Sequence, residues 1–146
     1  MERIEKTLLI SAPAEQVFSL IEKFEEIPKF SSAISEVCCE SDKISLWKIE
    51  VGGITHDWRA ELLEKKPPKR LTWHSISGIQ HRGGYELEQI DGKTKVNFFM
   101  EYQLPSRVLE RVLHAPMDKM IEEIYSEILI NIQNELEGTV EKWLPK

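Results

Sequence analysis

Between Ser32 and Leu104 apolar and polar residues alternate with a period of two. Turn-forming residues interrupt that alternation at regular intervals: Ser41-Asp42-Lys43, Gly52-Gly53, Pro67-Pro68, Ser77-Gly78 and Asp91-Gly92. With no helical stretch between them, runs spaced this way must pair as sequential antiparallel hairpins. The turns divide the region into six strands, at about 33–41, 44–51, 54–65, 69–76, 80–90 and 94–104, and residues 4–10 add a seventh. Gly83-Gly84 inside one of them predicts a bulge or sharp bend.

A seven-stranded antiparallel sheet needs cover for one face. The chain supplies it at its C-terminal end, where Leu113, Met117, Ile121, Ile124, Ile128, Ile132 and Leu136 recur at three- and four-residue steps. Asp118, Glu122, Glu123, Glu127 and Glu135 lie on the opposite face, which reads as solvated. Pro116 should begin this helix, or kink it away from a shorter piece at 106–114, and Gly138 should end it. The remaining tail, 139–146 with Trp143, fits either a continued helix or a packed extension. Two short helices fall between strands one and two. Pro13 suits the first helical position, Glu15 its positive end, and Val17, Leu20, Ile21 and Phe24 its buried stripe; Pro28 limits a second piece ending near Phe30.

The expected fold is therefore α+β, a seven-stranded curved antiparallel sheet wrapped around a long C-terminal helix. At 146 residues the chain fits a single domain, 1–146. Its 41% hydrophobic content suffices for one core. Nineteen Lys and Arg against 25 Asp and Glu leave a net charge of −6, the wrong sign for a nucleic-acid-binding module. No apolar stretch approaches the ~20 residues of a membrane span, and residues 1–6 lack the apolar core of a signal peptide. Cys38 and Cys39 are adjacent, which disfavours both a bridge and a zinc site. They read as reduced thiols on a strand, one facing inward, in keeping with a cytoplasmic protein.

Alternation also assigns faces. Val96, Phe98, Met100 and Tyr102 share one side of the last strand, with Lys95, Asn97 and Glu101 on the other and Phe99 as the exception. Trp58, Ala60 and Leu62 share a side, as do Leu71 and Trp73. A curved sheet around one helix tends to leave space between them for an apolar ligand. The expected lining is Trp58, Trp73, Tyr85, Phe98, Met100, Tyr102, Met117, Met120, Ile121 and Ile124. Aromatic and methionine side chains suit such a pocket, although they also build ordinary cores.

The run Ser11-Ala12-Pro13-Ala14-Glu15-Gln16-Val17-Phe18 resembles the opening strand-to-helix signature of the START-like, helix-grip superfamily. Phe24-Glu25-Glu26-Ile27-Pro28-Lys29-Phe30, Trp58, Pro68-Lys69-Arg70-Leu71-Thr72-Trp73, Gly84-Tyr85 and Leu104-Pro105 follow in a similar order. The likeness spans residues 3–137 and is nearest the polyketide cyclase/dehydrase and lipid-transport branch. It implies a hydrophobic cavity for lipids, quinones or polyketides. The superfamily also includes aromatic polyketide cyclases, ubiquinone-binding proteins and a factor acting on ribosomal subunit association, so fold alone does not select the function.

A cyclase or dehydrase needs an acid or base within reach of its substrate. The candidates are His56, His81 and Tyr85, with Arg82 beside them. His56 shares parity with Trp58, which turns Asp57 away and precludes an inward dyad. Trp73 inward puts His74 outward. His81 shares parity with Tyr85 only if Gly83-Gly84 leaves the register unshifted, and His114 sits by a helix boundary. No Ser/His/Asp or Cys/His arrangement, HExxH motif or phosphate-binding glycine loop occurs. The basic run Lys65-Lys66-Pro67-Pro68-Lys69-Arg70 suits a solvated hairpin better than a lipid or RNA contact. These residues favour a binder or carrier of a small hydrophobic molecule, with no metal or cofactor, over a cyclase/dehydrase acting in the same cavity. Ribosome binding, a third class, is opposed by the negative charge.

Overall fold

The computed structural model describes residues 2–51, 53–103 and 117–143. Strand β1 (Glu2–Ile10) leads into helix α1 (Ala14–Glu22) and a 3-10 helix (Phe24–Phe30). Strands β2 (Ile34–Cys39), β3 (Ile44–Val51), β4 (Ile54–Lys66), β5 (Arg70–Ser77), β6 (Gln80–Ile90) and β7 (Lys93–Gln103) follow, and helix α2 (Met117–Trp143) comes last. The sheet order is β1-β7-β6-β5-β4-β3-β2, with every neighbouring pair antiparallel. Six strands thus form an uninterrupted meander, and β1 pairs onto its far edge beside β7. This curved half-barrel, holding a long terminal helix in its concave face, is the helix-grip fold.

Local chemistry accounts for the turns. Ile90 pairs with Lys93 across Asp91-Gly92, whose φ values of 47° and 79° are those of a two-residue hairpin that follows the sheet's twist. Pro13 stands one residue before α1 rather than at its first position, and its carbonyl accepts from the Gln16 and Val17 amides. α1 buries Val17, Phe18 and Ile21 against the sheet, as its spacing requires.

Three expectations change. Gly83 and Gly84 form no bulge, because β6 keeps continuous register with β5 and β7 through both. They serve close approach instead. A Cβ at Gly83 would lie 3.3 Å from Trp73 Cζ2 on one face, and one at Gly84 would lie 3.1 Å from Phe99 Cζ on the other. The register shifts fall elsewhere, at Ile34/Glu36 in β2 and at Arg59/Ala60 and Leu62/Glu64 in β4. Second, Gly138 does not end α2, which continues to Trp143. An interior glycine costs a helix only about 1 kcal/mol, too little to stop one already supported by packing. Third, the inward-facing cysteine is not buried: Cys39 shares the face of Val37 and pairs with buried Ser45, yet both thiols are free and exposed at the end of β2. Desolvation, with Glu25 beside it, raises the Cys39 thiol, which disfavours the reactive thiolate. The shorter helical piece at 106–114, the Pro116 junction and His114 lie outside the described residues.

One core joins sheet and helix. Ile121, Ile124, Tyr125, Ile128, Leu129 and Ile132 of α2 pack with Val96, Phe98 and Met100 of β7, Ile10 of β1, and Val17 and Ile21 of α1. The polar side of α2 is not wholly solvated. Glu127 accepts from both the amide and the hydroxyl of Ser32, the latter at 2.9 Å, while Asn131 Nδ2 donates to the Phe30 carbonyl at 2.9 Å. Gln133 donates to the Leu9 carbonyl, and the Ser11 amide donates to Glu137. These bonds fix the helix at the start of the sheet.

Candidate functional site

Strand parity directs a band of rings onto the concave face, and helix α2 adds one from above. Phe98 stacks on Tyr125 with centroids 4.2 Å apart. Tyr85 lies 5.4 Å from Phe98 and 5.7 Å from Trp73, which itself lies 6.4 Å from Tyr125. Phe24 bridges Trp73 to Trp47, and Trp47 stacks on Trp58 at 5.9 Å with the planes only 8° apart. His81 then meets Trp58 edge-on at 5.7 Å. Rings at these spacings attract through their quadrupoles as well as through buried area. The result is a continuous ring-to-ring path across the inner face.

The expected lining residues lie largely on this path or beside it. Trp73, Tyr85, Phe98, Met100, Tyr102, Ile121 and Ile124 are buried, and Trp58 and Met120 are half-buried against the same core. Met117 opens α2, but its side chain falls outside the described ones. Tyr125, Trp47 and Phe24 join the path without having been singled out. Tyr125 stands four residues after Ile121 and three before Ile128, so the helical spacing already carried its signal. Trp47 alternates with buried Ser45 and Ile49, and its indole donates to Ser45 Oγ at 2.8 Å.

The three polar candidates occupy two neighbourhoods. Tyr85 is central, and burial, with Tyr125 nearby, holds its hydroxyl well above the ordinary tyrosine range. Burial raises Tyr125 similarly. Both therefore stay protonated and serve as donors, never as ready bases. Intact β6 register puts His81 on the same face as Tyr85, directly opposite Tyr102 of β7. Its Nδ1 lies 2.9 Å from the Ile79 carbonyl oxygen, so Nδ1 carries the proton and donates it there. Desolvation lowers the His81 pKa, and His74 adds to the effect, while the Ile79 bond opposes it. His56 pairs with buried Ile49 and shares the face of Trp58. The Nε2 atoms of His56 and His81 are both buried and have no hydrogen-bond partner among the described residues.

The convex face is different in kind. As parity requires, Asp57 is exposed and His74 points outward, bonded to Glu61 at 2.8 Å. Arg3 and Arg82 share Glu101, and Arg70 reaches Glu64 and Glu86. Phe99, the apolar exception on this side, lies beneath the guanidinium groups of Arg3 and Arg70, 5.2 and 5.9 Å from its ring centre. A depression of about 450 Å³ lies here between Thr7, Lys69, Arg70, Glu86, Lys95 and Asn97. Its walls carry both charge signs, and it shares no residue with the aromatic path. Lys65, Lys66 and Lys69 at the β4–β5 hairpin are exposed, and the first two pair with Glu22 and Glu64. Among the described residues no cluster of three His, Cys, Asp or Glu side chains could hold a metal ion. No described helix is long and apolar enough to cross a membrane.

A helix-grip domain with an aromatic concave face defines the structural class, and comparison with known proteins agrees with it. Residues 10–125 match the family described as polyketide cyclase / dehydrase and lipid transport. This chain belongs to that family. An uncharacterised 17.2 kDa protein of Streptomyces lincolnensis, encoded in the melC2–rnhH intergenic region, is 26% identical over 116 residues, covering 77% of this chain and 75% of its own. A START superfamily protein from Mycobacterium smegmatis superposes with a TM-score of 0.75 at 13% identity, covering 94% of this chain and 98% of its own. The Zhui aromatase/cyclase from Streptomyces sp. R1128 gives 0.69 at 13% identity, covering 97% and 94%. At such identities the superpositions show a shared fold and nothing finer.

Proposed function

We propose that this chain, as one domain, binds or carries a small hydrophobic molecule of the lipid, quinone or polyketide kind between the concave sheet face and helix α2. The ring path from Trp58 through Trp73, Tyr85 and Phe98 to Tyr125 carries the reading, because it lines the space between sheet and helix with aromatic side chains and few charges. Met100, Tyr102, Met120, Ile121 and Ile124 complete the proposed contact set. Each methylene removed from water contributes about 0.8 kcal/mol, so useful affinity needs few polar contacts. The family's lipid-transport membership supports the same reading, and the free thiols of Cys38 and Cys39 fit a cytoplasmic setting.

Displacement of a lipophilic fluorophore, backed by native mass spectrometry after gentle purification, tests the proposal. Saturable uptake at one site is expected, weakened several-fold by Trp58→Ala. A protein that takes up no apolar probe in either measurement refutes it.

The likeness to an aromatase/cyclase favours one second reading, catalysis of cyclisation or dehydration in the same place. On that reading Tyr85, kept protonated by burial, supplies a proton, while His56 or His81 accepts one. Turnover of a poly-β-keto substrate that disappears in Tyr85→Phe and His56→Ala, with the fold intact, would establish it. Unchanged turnover would dismiss these residues.

A further inference from the structure

A buried hydrogen-bonding atom without a partner is costly, and folded proteins rarely leave one. Among the described residues two occur, on one face, and both are imidazole Nε2 atoms. His81 is only 7% exposed, and its ring is pinned by the Nδ1 bond to Ile79 and by the edge contact with Trp58. Because the Ile79 carbonyl can only accept, the Nδ1–H tautomer is fixed and Nε2 presents a bare lone pair. His56 lies two residues before Trp58 on the same face of β4, so the two histidines flank one indole. A bare lone pair can be satisfied only by a donor. Ketone, ester and quinone oxygens are acceptors and cannot satisfy it.

We infer that this end of the concave face recognises a hydroxyl group on the hydrophobic ligand, its O–H donating to His81 Nε2 beside the Trp58 ring, with His56 Nε2 as a second polar contact on the same face. The inference rests on the ligand-binding reading above and narrows it to alcohols, phenols, enols and hydroquinones over their acceptor-only counterparts. A phenolic ring fits best, since it can meet the Trp58 indole while its hydroxyl reaches the imidazole. His81 acts here by orienting and selecting the ligand.

Two probes of nearly the same shape separate the outcomes. 2-Naphthol carries a donor, and 2-methoxynaphthalene has only an acceptor. An ether laid against the bare lone pair leaves a buried acceptor unpaired, so the full-length protein should bind the naphthol at least about tenfold more tightly. His81→Phe, which keeps a ring against Trp58, should bring that ratio close to one. Long-range proton–nitrogen spectra of the unaltered protein supply a readout independent of the variant's folding. The His81 Nε2 resonance should shift on adding 2-naphthol and stay in place with 2-methoxynaphthalene.

Equal affinities for the two probes would overturn the inference while leaving the ligand-binding reading intact. A nitrogen resonance already hydrogen-bonded in the free protein and unmoved by naphthol would also overturn it, assigning the acceptor to internal water. Binding of no apolar probe at all would remove both readings together.

Discussion

A methyl group at Gly84 would stand 2.5 Å from the Leu71 carbonyl oxygen and 2.8 Å from Thr72 Cγ2. Neither the β5 backbone nor its β-branched neighbour can yield cheaply, because both are held in the ladder. At Gly83 the nearest atom is the Phe99 carbonyl oxygen at 2.8 Å, with the Trp73 indole next. The glycine pair therefore lets one aromatic side chain lie close over each face of β6. Gly84→Ala should lower the unfolding free energy by about 1–3 kcal/mol, the usual cost of forced overpacking, as read from urea midpoints. Gly138→Ala is the opposite case. Nothing lies within 4 Å of its added carbon, and the position is helical. Removing the glycine's backbone entropy there should raise stability by about 0.5–1 kcal/mol. An unchanged midpoint for Gly84→Ala would mean that β5 yields to the added methyl and that close approach does not govern this position.

At the scale of elements, helix α2 is held by a polar edge as well as an apolar stripe. Glu127 reaches the amide and hydroxyl of Ser32, so its loss strands two donors at the entry to β2. Glu127→Ala should cost about 1 kcal/mol, in the range of ordinary hydrogen bonds, whereas Glu123→Ala, exposed one turn earlier, should change stability by less than about 0.5 kcal/mol. Equal effects would show that α2 is seated by its apolar face alone. Glu127 looked like solvated surface because it sits among Glu122, Glu123 and Glu135, and charge pattern cannot reveal a distant serine. The strands were legible because Asp91-Gly92, Ser77-Gly78 and the other turns punctuate a period-two pattern that dictates hairpins. A glycine pair inside a strand serves a bulge or an aromatic neighbour equally well, so the bulge expected at Gly83-Gly84 is overturned only by the pairing of β6 with both neighbours. Parity likewise placed His56 beside Trp58. The tautomer of His81, and so its bare Nε2, depends on where the β5–β6 turn delivers the Ile79 carbonyl, which no spacing encodes.

For the whole molecule, the net charge of −6 is partly organised into pairs. Hydrogen bonds from Arg82 to Glu101, Arg70 to Glu64, Arg59 to Glu40 and Lys29 to Glu26 hold these carboxyl groups below the ordinary value of 4.5. Folding therefore favours their ionised forms, and the stability they add is present above 4.5 and disappears as pH falls further. All four keep contact with solvent, Glu101 least, so each effect is small and sensitive to salt. His81 titrates in a higher window. Desolvation holds its folded value below the ordinary 6.5, so the unfolded chain binds the proton more readily. Stability should then be level above 6.5 and begin to fall as pH drops below that value, before the exposed carboxylates take part. Urea midpoints from pH 8 to pH 4 resolve the two stages. His81→Phe should abolish the upper decline and leave the lower one, because no exposed carboxylate pair involves that ring. Parallel profiles for the two proteins would mean that His81 accepts its proton as easily folded as unfolded, which a desolvated imidazole pinned between Ile79 and Trp58 cannot do.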